Sequence, residues 1–300
     1  MPDIISVYAS TQPGKPAVID DRGGADVVTW TYADLEAESN RLANTLASLG
    51  AGPGEKVIWC GPNSRQVIAV MTATRKIGAV AVPLNYRLTP EEASYIIGHS
   101  DSCIAYVDAE YAHLFAGHAD GALGSLRHVI VYGGPAPDGL TSDEIVAQAS
   151  AEPPADPGEG AGATMIYTSG TTGKPKGAYR SMVDQATAIA LIGFIGYTSD
   201  DIYLTSGPLY HSGPSAFLGA SLIMGQTTVL QRKFDPEDWL RLVDTYRVTS
   251  TFSAPPLIRQ VCALPAEVKD SYDRSSMRIM LANAAPWSFA LKQAYLTDFP

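Results

Sequence analysis

Short apolar runs rich in β-branched residues alternate with helical stretches along most of this chain, and that rhythm restricts its fold more than any other feature. Val57-Ile58-Trp59-Cys60 reads as a buried strand, residues 65–77 as a helix, and a second apolar run follows Gly78 through Val82. Further strands are predicted over 103–107, 128–132, 164–168, 202–205, 227–230 and 277–281, with helices over 90–97, 182–192, 236–246 and 255–263. Leu35, Leu42, Leu46 and Leu49 share one helical face, and Gly50 and Gly52 end that helix. Strands separated by helices imply crossover connections, so the order predicts an α/β fold of mostly parallel sheets covered by helices. Residues 151–163 interrupt the rhythm with Pro153, Pro154, Pro157, Gly158, Gly160 and Gly162, and read as a solvated loop.

Bulk properties narrow the function. The 300 residues allow one large domain or two modest ones, with a substantial core. Apolar residues make up 46% and charged residues 17%, the balance of a soluble globular chain. A net charge of −10 repels phosphate backbones, so nucleic acid is not an expected partner. A small anion is still compatible, because a local site can be positive on an acidic protein. Cys60, Cys103 and Cys262 form no CxxC pair and no disulfide framework, which fits a reducing cytoplasm. The N-terminus lacks the basic start and apolar stretch of a secretory signal. The longest apolar run, over 186–197, is broken by Gly193 and Gly196 and is too short to cross a bilayer. Peripheral membrane contact and oligomeric state stay open.

The chemistry concentrates in Ile166-Tyr167-Thr168-Ser169-Gly170-Thr171-Thr172-Gly173-Lys174-Pro175-Lys176-Gly177, which follows an apolar strand and precedes a helical pattern. Gly170, Gly173 and Gly177 let backbone approach a ligand closely. Thr168, Ser169, Thr171 and Thr172 offer hydroxyls, and Lys174 and Lys176 offer charge. Such a loop suits a polyphosphate, wrapped by N–H and hydroxyl groups and neutralised by a lysine. It is not the common P-loop: Thr168 stands where that pattern needs its first glycine, and Pro175 where it needs Ser or Thr. The alternative is a surface turn of small polar residues, but the order, the lysines and the preceding strand favour a site.

This string resembles the signature of the adenylate-forming (AMP-binding) enzyme superfamily, and three further segments agree. Thr29-Trp30-Thr31-Tyr32-Ala33-Asp34-Leu35 resembles its early motif, and Arg75-Lys76-Ile77-Gly78-Ala79-Val80-Ala81-Val82-Pro83-Leu84-Asn85 its second. Pro208-Leu209-Tyr210-His211-Ser212-Gly213 is similar to a later motif in its acyl-CoA synthetase, or fatty-acid–CoA ligase, form. Ala284-Ala285-Pro286 matches the strand end that carries adenine. The resemblance covers the whole chain in the expected order. It implies that Thr168, Ser169, Gly170, Thr171, Thr172, Gly173 and Lys176 hold the ATP phosphates, with Thr172 also placing Mg²⁺ and Lys176 and Thr172 serving catalysis. It implies that Asn283, Ala284 and Ala285 line the adenine, and that Tyr210, His211 and Gly213 lie at an acyl pocket.

The implied reaction joins a small-molecule carboxylic acid, a fatty or related acyl acid, to the α-phosphorus of ATP, and coenzyme A then displaces AMP. Carboxylic acids are already ionised at neutral pH, so positioning and charge neutralisation matter more than a proton-transfer triad. Two departures stand out. Asn283 replaces the family's usual glycine, and Ala178-Tyr179-Arg180-Ser181-Met182 replaces the usual Thr-His-x-Asn run. The resemblance also implies an incomplete N-terminal domain, weakly active or inactive alone, whose C-terminal lid domain and further Mg²⁺ and ribose ligands are missing. Its expected subdomains are 40–190, and 1–35 with 200–300. Two other readings stay open: a non-catalytic nucleotide- or acyl-binding fragment, and an aryl- or amino-acid-adenylating enzyme. Elsewhere, His99, His113, His118 and His128 show no zinc-finger-like pattern, so zinc is not expected. Asp200-Asp201 reads as a solvated turn. Phe217, Phe252 and Trp287 are candidates for the pocket border, although core packing would serve each equally well.

Overall fold

The computed structural model describes residues 3–24, 26–118, 121, 123–158, 162–168, 174–181 and 185–299. In chain order it begins with α1 (Ile4–Thr11), β1 (Pro16–Asp21), β2 (Val27–Thr31), α2 (Tyr32–Ser48), β3 (Lys56–Cys60), α3 (Arg65–Lys76) and β4 (Val80–Leu84). Next come α4 (Pro90–Ser100), β5 (Ile104–Asp108), β6 (His128–Tyr132), β7 (Thr141–Ser142), α5 (Glu144–Ala147), β8 (Ala163–Thr168) and β9 (Lys176–Ser181). The chain continues through α6 (Gln185–Ile195), β10 (Ile202–Thr205), α7 (Ser212–Ile223), β11 (Thr227–Leu230), α8 (Pro236–Tyr246) and β12 (Ser250–Ser253). It closes with α9 (Pro255–Cys262), α10 (Ala266–Lys269), β13 (Ile279–Ala282) and α11 (Phe289–Asp298). These elements divide into two compact units, Asp34–Val183 and Met1–Ala33 with Asp184–Pro300.

The 34–183 unit is built on a sheet of order β7-β6-β5-β3-β4-β8-β9, parallel except for the β8–β9 pair. Every residue of β4 and β5 is buried, as expected of central parallel strands covered on both faces. Ser64 starts α3 by accepting a hydrogen bond from the Val67 N–H, and the helix then buries Val67, Ile68, Val70 and Ala73. At its other end Lys76, only 3% exposed, pairs with Glu36 of α2 at 2.7 Å. Burial of that ammonium is tolerable because a carboxylate faces it. Helix α4 opens with Thr89 and Glu92 in a capping box and Pro90 in the first turn.

The other unit carries a sheet of order β13-β12-β10-β11-β1-β2, parallel apart from the β1–β2 hairpin. One hydrophobic cluster gathers Trp239, Leu240, Val243, Ile258, Val261, Leu291, Tyr295 and Phe299. A second gathers Ile192, Tyr197 and Ala220 with Phe217, Ile279 and Leu281 packed against it. Because Ile279 and Leu281 alternate with Met280 and Ala282 along β13, the strand feeds one cluster from each face.

Asp201 corrects the expectation of a solvated turn. Its side chain is 3% exposed, accepts from the Thr198 N–H at 2.8 Å and the Thr249 hydroxyl at 2.7 Å, and pairs with Arg278. Thr249 and Arg278 precede β12 and β13, so this carboxylate ties together the starts of three neighbouring strands. Burial alone would raise its pKa, but the bonds from Arg278, Thr198 and Thr249 outweigh it and hold Asp201 below the usual carboxylate range. Among the described residues no helix is long and apolar enough to cross a membrane.

Candidate functional site

In the 34–183 unit, the glycine-rich segment joins β8 to β9 as a hairpin. The antiparallel ladder pairs Tyr167 with Gly177 and ends at Thr168 opposite Lys176. Ser169, Gly170, Thr171, Thr172 and Gly173 lie outside the described residues. Thr168, Lys174 and Lys176 are exposed around them. Between the loop and the helix expected over 182–192, which appears as α6 from Gln185, lies a strand that the sequence reading did not give, β9. Gly177 accounts for how closely it pairs. A Cβ at that position would lie 2.2 Å from the Met165 Cε and 3.3 Å from the Tyr167 ring, so glycine lets the two strands and their side chains close on each other. The loop therefore leads into a strand, and Lys174 and Lys176 supply positive charge where a helix N-terminus would otherwise have done so.

Tyr95, which the sequence reading passed over, and His99, which it weighed only against zinc, flank this hairpin. The Tyr167 hydroxyl lies 2.8 Å from Nδ1 of His99 on α4. Tyr95, one turn earlier on the same helix, packs its ring 5.5 Å from His99 and receives the Lys174 ammonium over its face at 5.2 Å. The sequence reading ended this helix at residue 97 and left His99 outside it; the structure carries α4 to Ser100 and puts Tyr95 and His99 on one face. Nothing in the spacing linked that face to the hairpin. The Tyr167 phenol is pushed up to about 12, first by burial and then by Tyr95 and Asp101 nearby, so it stays protonated at ordinary pH.

In the other unit, the candidate acyl and adenine residues collect at the carboxyl ends of β10, β12 and β13, three adjacent parallel strands. Ligand sites of open α/β sheets form at that edge. After β10 the chain runs through Pro208, Leu209 and buried Tyr210 to His211, whose extended backbone precedes the first turn of α7. The His211 N–H donates to the Pro208 carbonyl at 3.1 Å, and its own carbonyl accepts from the Ser215 N–H at 3.2 Å. The imidazole makes no capping bond; it is exposed and packs 4.4 Å from the Tyr210 ring. Gly213 gives Phe252 its place, since a Cβ there would come within 2.7 Å of the Phe252 ring. Phe252 stacks on Phe217 at 4.5 Å and 12°, forming a flat apolar wall beside this loop. Trp287 instead packs against the cluster that contains Tyr295, 6.2 Å from its ring, away from the Phe217 side.

Asn283, Ala284 and Ala285 follow β13 and are exposed. Ala284 has a left-handed φ of 73°, a conformation that costs a non-glycine residue about 1–2 kcal/mol. The Asn283 side chain accepts from the Ala284 N–H at 2.7 Å and so helps to hold it. The asparagine thus adds the local polar contact that the usual glycine would lack.

Comparison with known proteins gives the family. The profile of the AMP-binding enzyme family matches residues 6–300. The chain is 35% identical to 3-hydroxybenzoate–CoA ligase of Aromatoleum sp. (strain CIB) over 253 residues, covering 82% of this chain and 47% of that protein. It is 32% identical to feruloyl-CoA synthase of Amycolatopsis sp. over 269 residues, 89% of this chain and 51% of that protein. Among solved structures, the inhibitor-bound N-terminal domain of FACL13 from Mycobacterium tuberculosis superimposes with a TM-score of 0.85 at 27% identity, covering 98% of this chain and 72% of that one. The chain spans about half the length of the curated relatives it matches.

Proposed function

We propose a function from one premise: this chain belongs to the AMP-binding enzyme family, whose profile spans residues 6–300. On our reading it supplies the ATP- and acid-binding part of an AMP-forming acid–CoA ligase. ATP binds with its phosphates in the 169–175 loop, between Thr168 and Lys176. Ser169, Gly170, Thr171, Thr172 and Gly173 offer backbone and hydroxyl donors, and Lys176 offsets phosphate charge. Thr172 would be the protein contact for Mg²⁺, which would neutralise charge on the phosphates. Asn283, Ala284 and Ala285 border the adenine. Tyr210, His211 and Gly213 border the acid, with His211 orienting it rather than acting as a base. Coenzyme A would accept the acyl group in the second half-reaction, and the cytoplasm would supply all three substrates.

The observation that supports this reading above the others is the hairpin loop itself: hydroxyls and glycines between Thr168 and Lys176, with both flanking lysines exposed. The acid class has two candidates. The Tyr210-His211 motif favours a fatty or related acyl chain. The stacked Phe217–Phe252 wall favours a planar aromatic acid, in keeping with the hydroxybenzoate and feruloyl groups named for two relatives. Non-hydrolysable acyl-adenylate mimics separate the two by thermal stabilisation of this chain. Our reading expects a melting shift that is lost in Lys176→Ala and grows within one series, linear or aromatic. No shift with any mimic, or an equal shift in Lys176→Ala, would refute it.

A further inference from the structure

We propose that Tyr95 and His99 of α4 act as a clamp on both stems of the phosphate loop, positioning it for ATP without touching the nucleotide. This rests on the nucleotide-loop reading above and adds what holds that loop in place.

The need for a clamp follows from the sheet. Strand β8 pairs with β4 only at Ala163 and Thr164, and β9 is an edge strand. From Met165 to Thr168, the part of the hairpin nearest the loop, β4 still runs alongside β8, but among the described residues the parallel ladder registers no pair there. Helix α4 adds the support that the ladder lacks. Its Tyr95 and His99 lie one turn apart and reach one stem each. His99 meets Tyr167, the residue before Thr168, through the 2.8 Å hydrogen bond and an edge-on ring contact at 5.7 Å. Tyr95 meets Lys174, two residues before Lys176, through its ring face at 5.2 Å. The two helix residues touch each other at 5.5 Å, so Tyr167, His99, Tyr95 and Lys174 form one continuous chain across the mouth of the hairpin.

The Tyr167 hydroxyl and His99 Nδ1 share one hydrogen bond, in which either group can donate according to the imidazole tautomer. The helix behind it is fixed. Ala93, Ile96, Ile97 and Ser100 are buried, the N-terminus carries a capping box, and the Ser100 hydroxyl bonds the Ile97 carbonyl at 2.9 Å. A rigid helix that grips both stems fixes where the loop between them begins and ends, which lowers the cost of binding phosphates there. AMP lacks two of the three phosphates of ATP, so the clamp should matter to ATP far more than to AMP. A role confined to packing would not discriminate between them.

The test is calorimetric binding of α,β-methylene ATP with Mg²⁺, and separately of AMP, to the full 300-residue chain and its variants. The variants are Tyr167→Phe, His99→Ala, the double substitution, His99→Asn and Tyr95→Leu, each first shown to melt cooperatively. The clamp predicts that Tyr167→Phe and His99→Ala each weaken the ATP analogue by about threefold to tenfold, the range of one lost hydrogen bond. AMP affinity should change less than about twofold, since the contacts act through the polyphosphate loop. The double substitution should be no worse than the singles, because both remove one shared contact. His99→Asn, which can place an acceptor near the Nδ1 position, should recover much of the loss, and Tyr95→Leu should weaken the ATP analogue selectively. Equal losses for ATP analogue and AMP, no loss at all, or effects that multiply in the double variant would overturn the clamp while leaving the loop assignment intact. If the unaltered chain ignores the ATP analogue, or Lys176→Ala binds it as well as the parent, the loop assignment fails and the clamp fails with it.

Discussion

Replacing Gly213 by alanine sets two physical effects of opposite sign against each other. Gly213 lies in the first turn of α7, where helix propensity alone favours alanine by up to about 1 kcal/mol. The structure opposes this. A Cβ at Gly213 would approach Phe252 Cε1 and Cζ at 2.7 Å, where ordinary contact begins at 3.4 Å. Phe252 is only 3% exposed and is stacked on Phe217, so its ring has little free space to move into. Overpacking of this kind costs about 1–3 kcal/mol, and after the propensity gain the net loss should be about 1–2 kcal/mol. For a chain of this size that is a fall in Tm of roughly 2–3 °C by circular dichroism. Phe252→Leu makes room, so the pair of substitutions should be less destabilising than the sum of the singles. A Gly213→Ala protein that melts higher than the parent would refute the packing argument, because propensity alone would then decide the outcome.

Other substitutions probe the supports of each unit. Lys76→Met leaves Glu36, 14% exposed, without its buried ammonium, and should cost about 3 kcal/mol in urea unfolding; adding Glu36→Leu should restore much of it. Ala284→Gly relieves the left-handed strain at the end of β13 and should stabilise the chain by up to about 1 kcal/mol, read as a higher Tm. Asp21, 2% exposed at its side chain, accepts bonds from Arg241 at 2.9 and 3.1 Å and from Tyr246 at 2.7 Å. Burial alone would raise its pKa, but those bonds and the Gly23 N–H hold it below the usual range. Its contribution is therefore complete above about pH 4, the unfolded value, and is lost as pH falls through the lower folded value. Tm should drop more steeply below pH 4 in the parent than in Asp21→Asn.

The fold class was legible because apolar runs such as 57–60 and 128–132 are buried on both faces and carry a strong signal of their own. Strands with polar or short sequences were not. Residues 250–253, Ser-Thr-Phe-Ser, form the fully buried β12, where Thr251 finds partners across the sheet in the Leu204 carbonyl at 2.8 Å and the Ser206 hydroxyl at 2.9 Å. Hydropathy does not register such pairing. The β1–β2 hairpin escaped for a similar reason: β2 is half-exposed, and β1 finds its parallel neighbour, β11, about two hundred positions away. Strand β9 was hidden because four of its six residues are exposed and, among the described residues, it pairs only with β8. The chemical motifs stood out as contiguous strings, Ile166–Gly177 and Pro208–Gly213. What surrounds them did not. The grip of α4 on the hairpin and the fit of Phe252 against Gly213 join residues remote in sequence, and only the crossover topology brings them together.

Binding of MgATP to the 300-residue chain and to Lys176→Ala, by isothermal titration at matched salt, decides whether the hairpin loop is a nucleotide site. The parent should bind with a measurable heat, and loss of the lysine should weaken binding by at least about tenfold, the value of one charge-assisted contact. Equal affinity in both proteins, or no heat from the parent at any attainable concentration, would contradict that assignment.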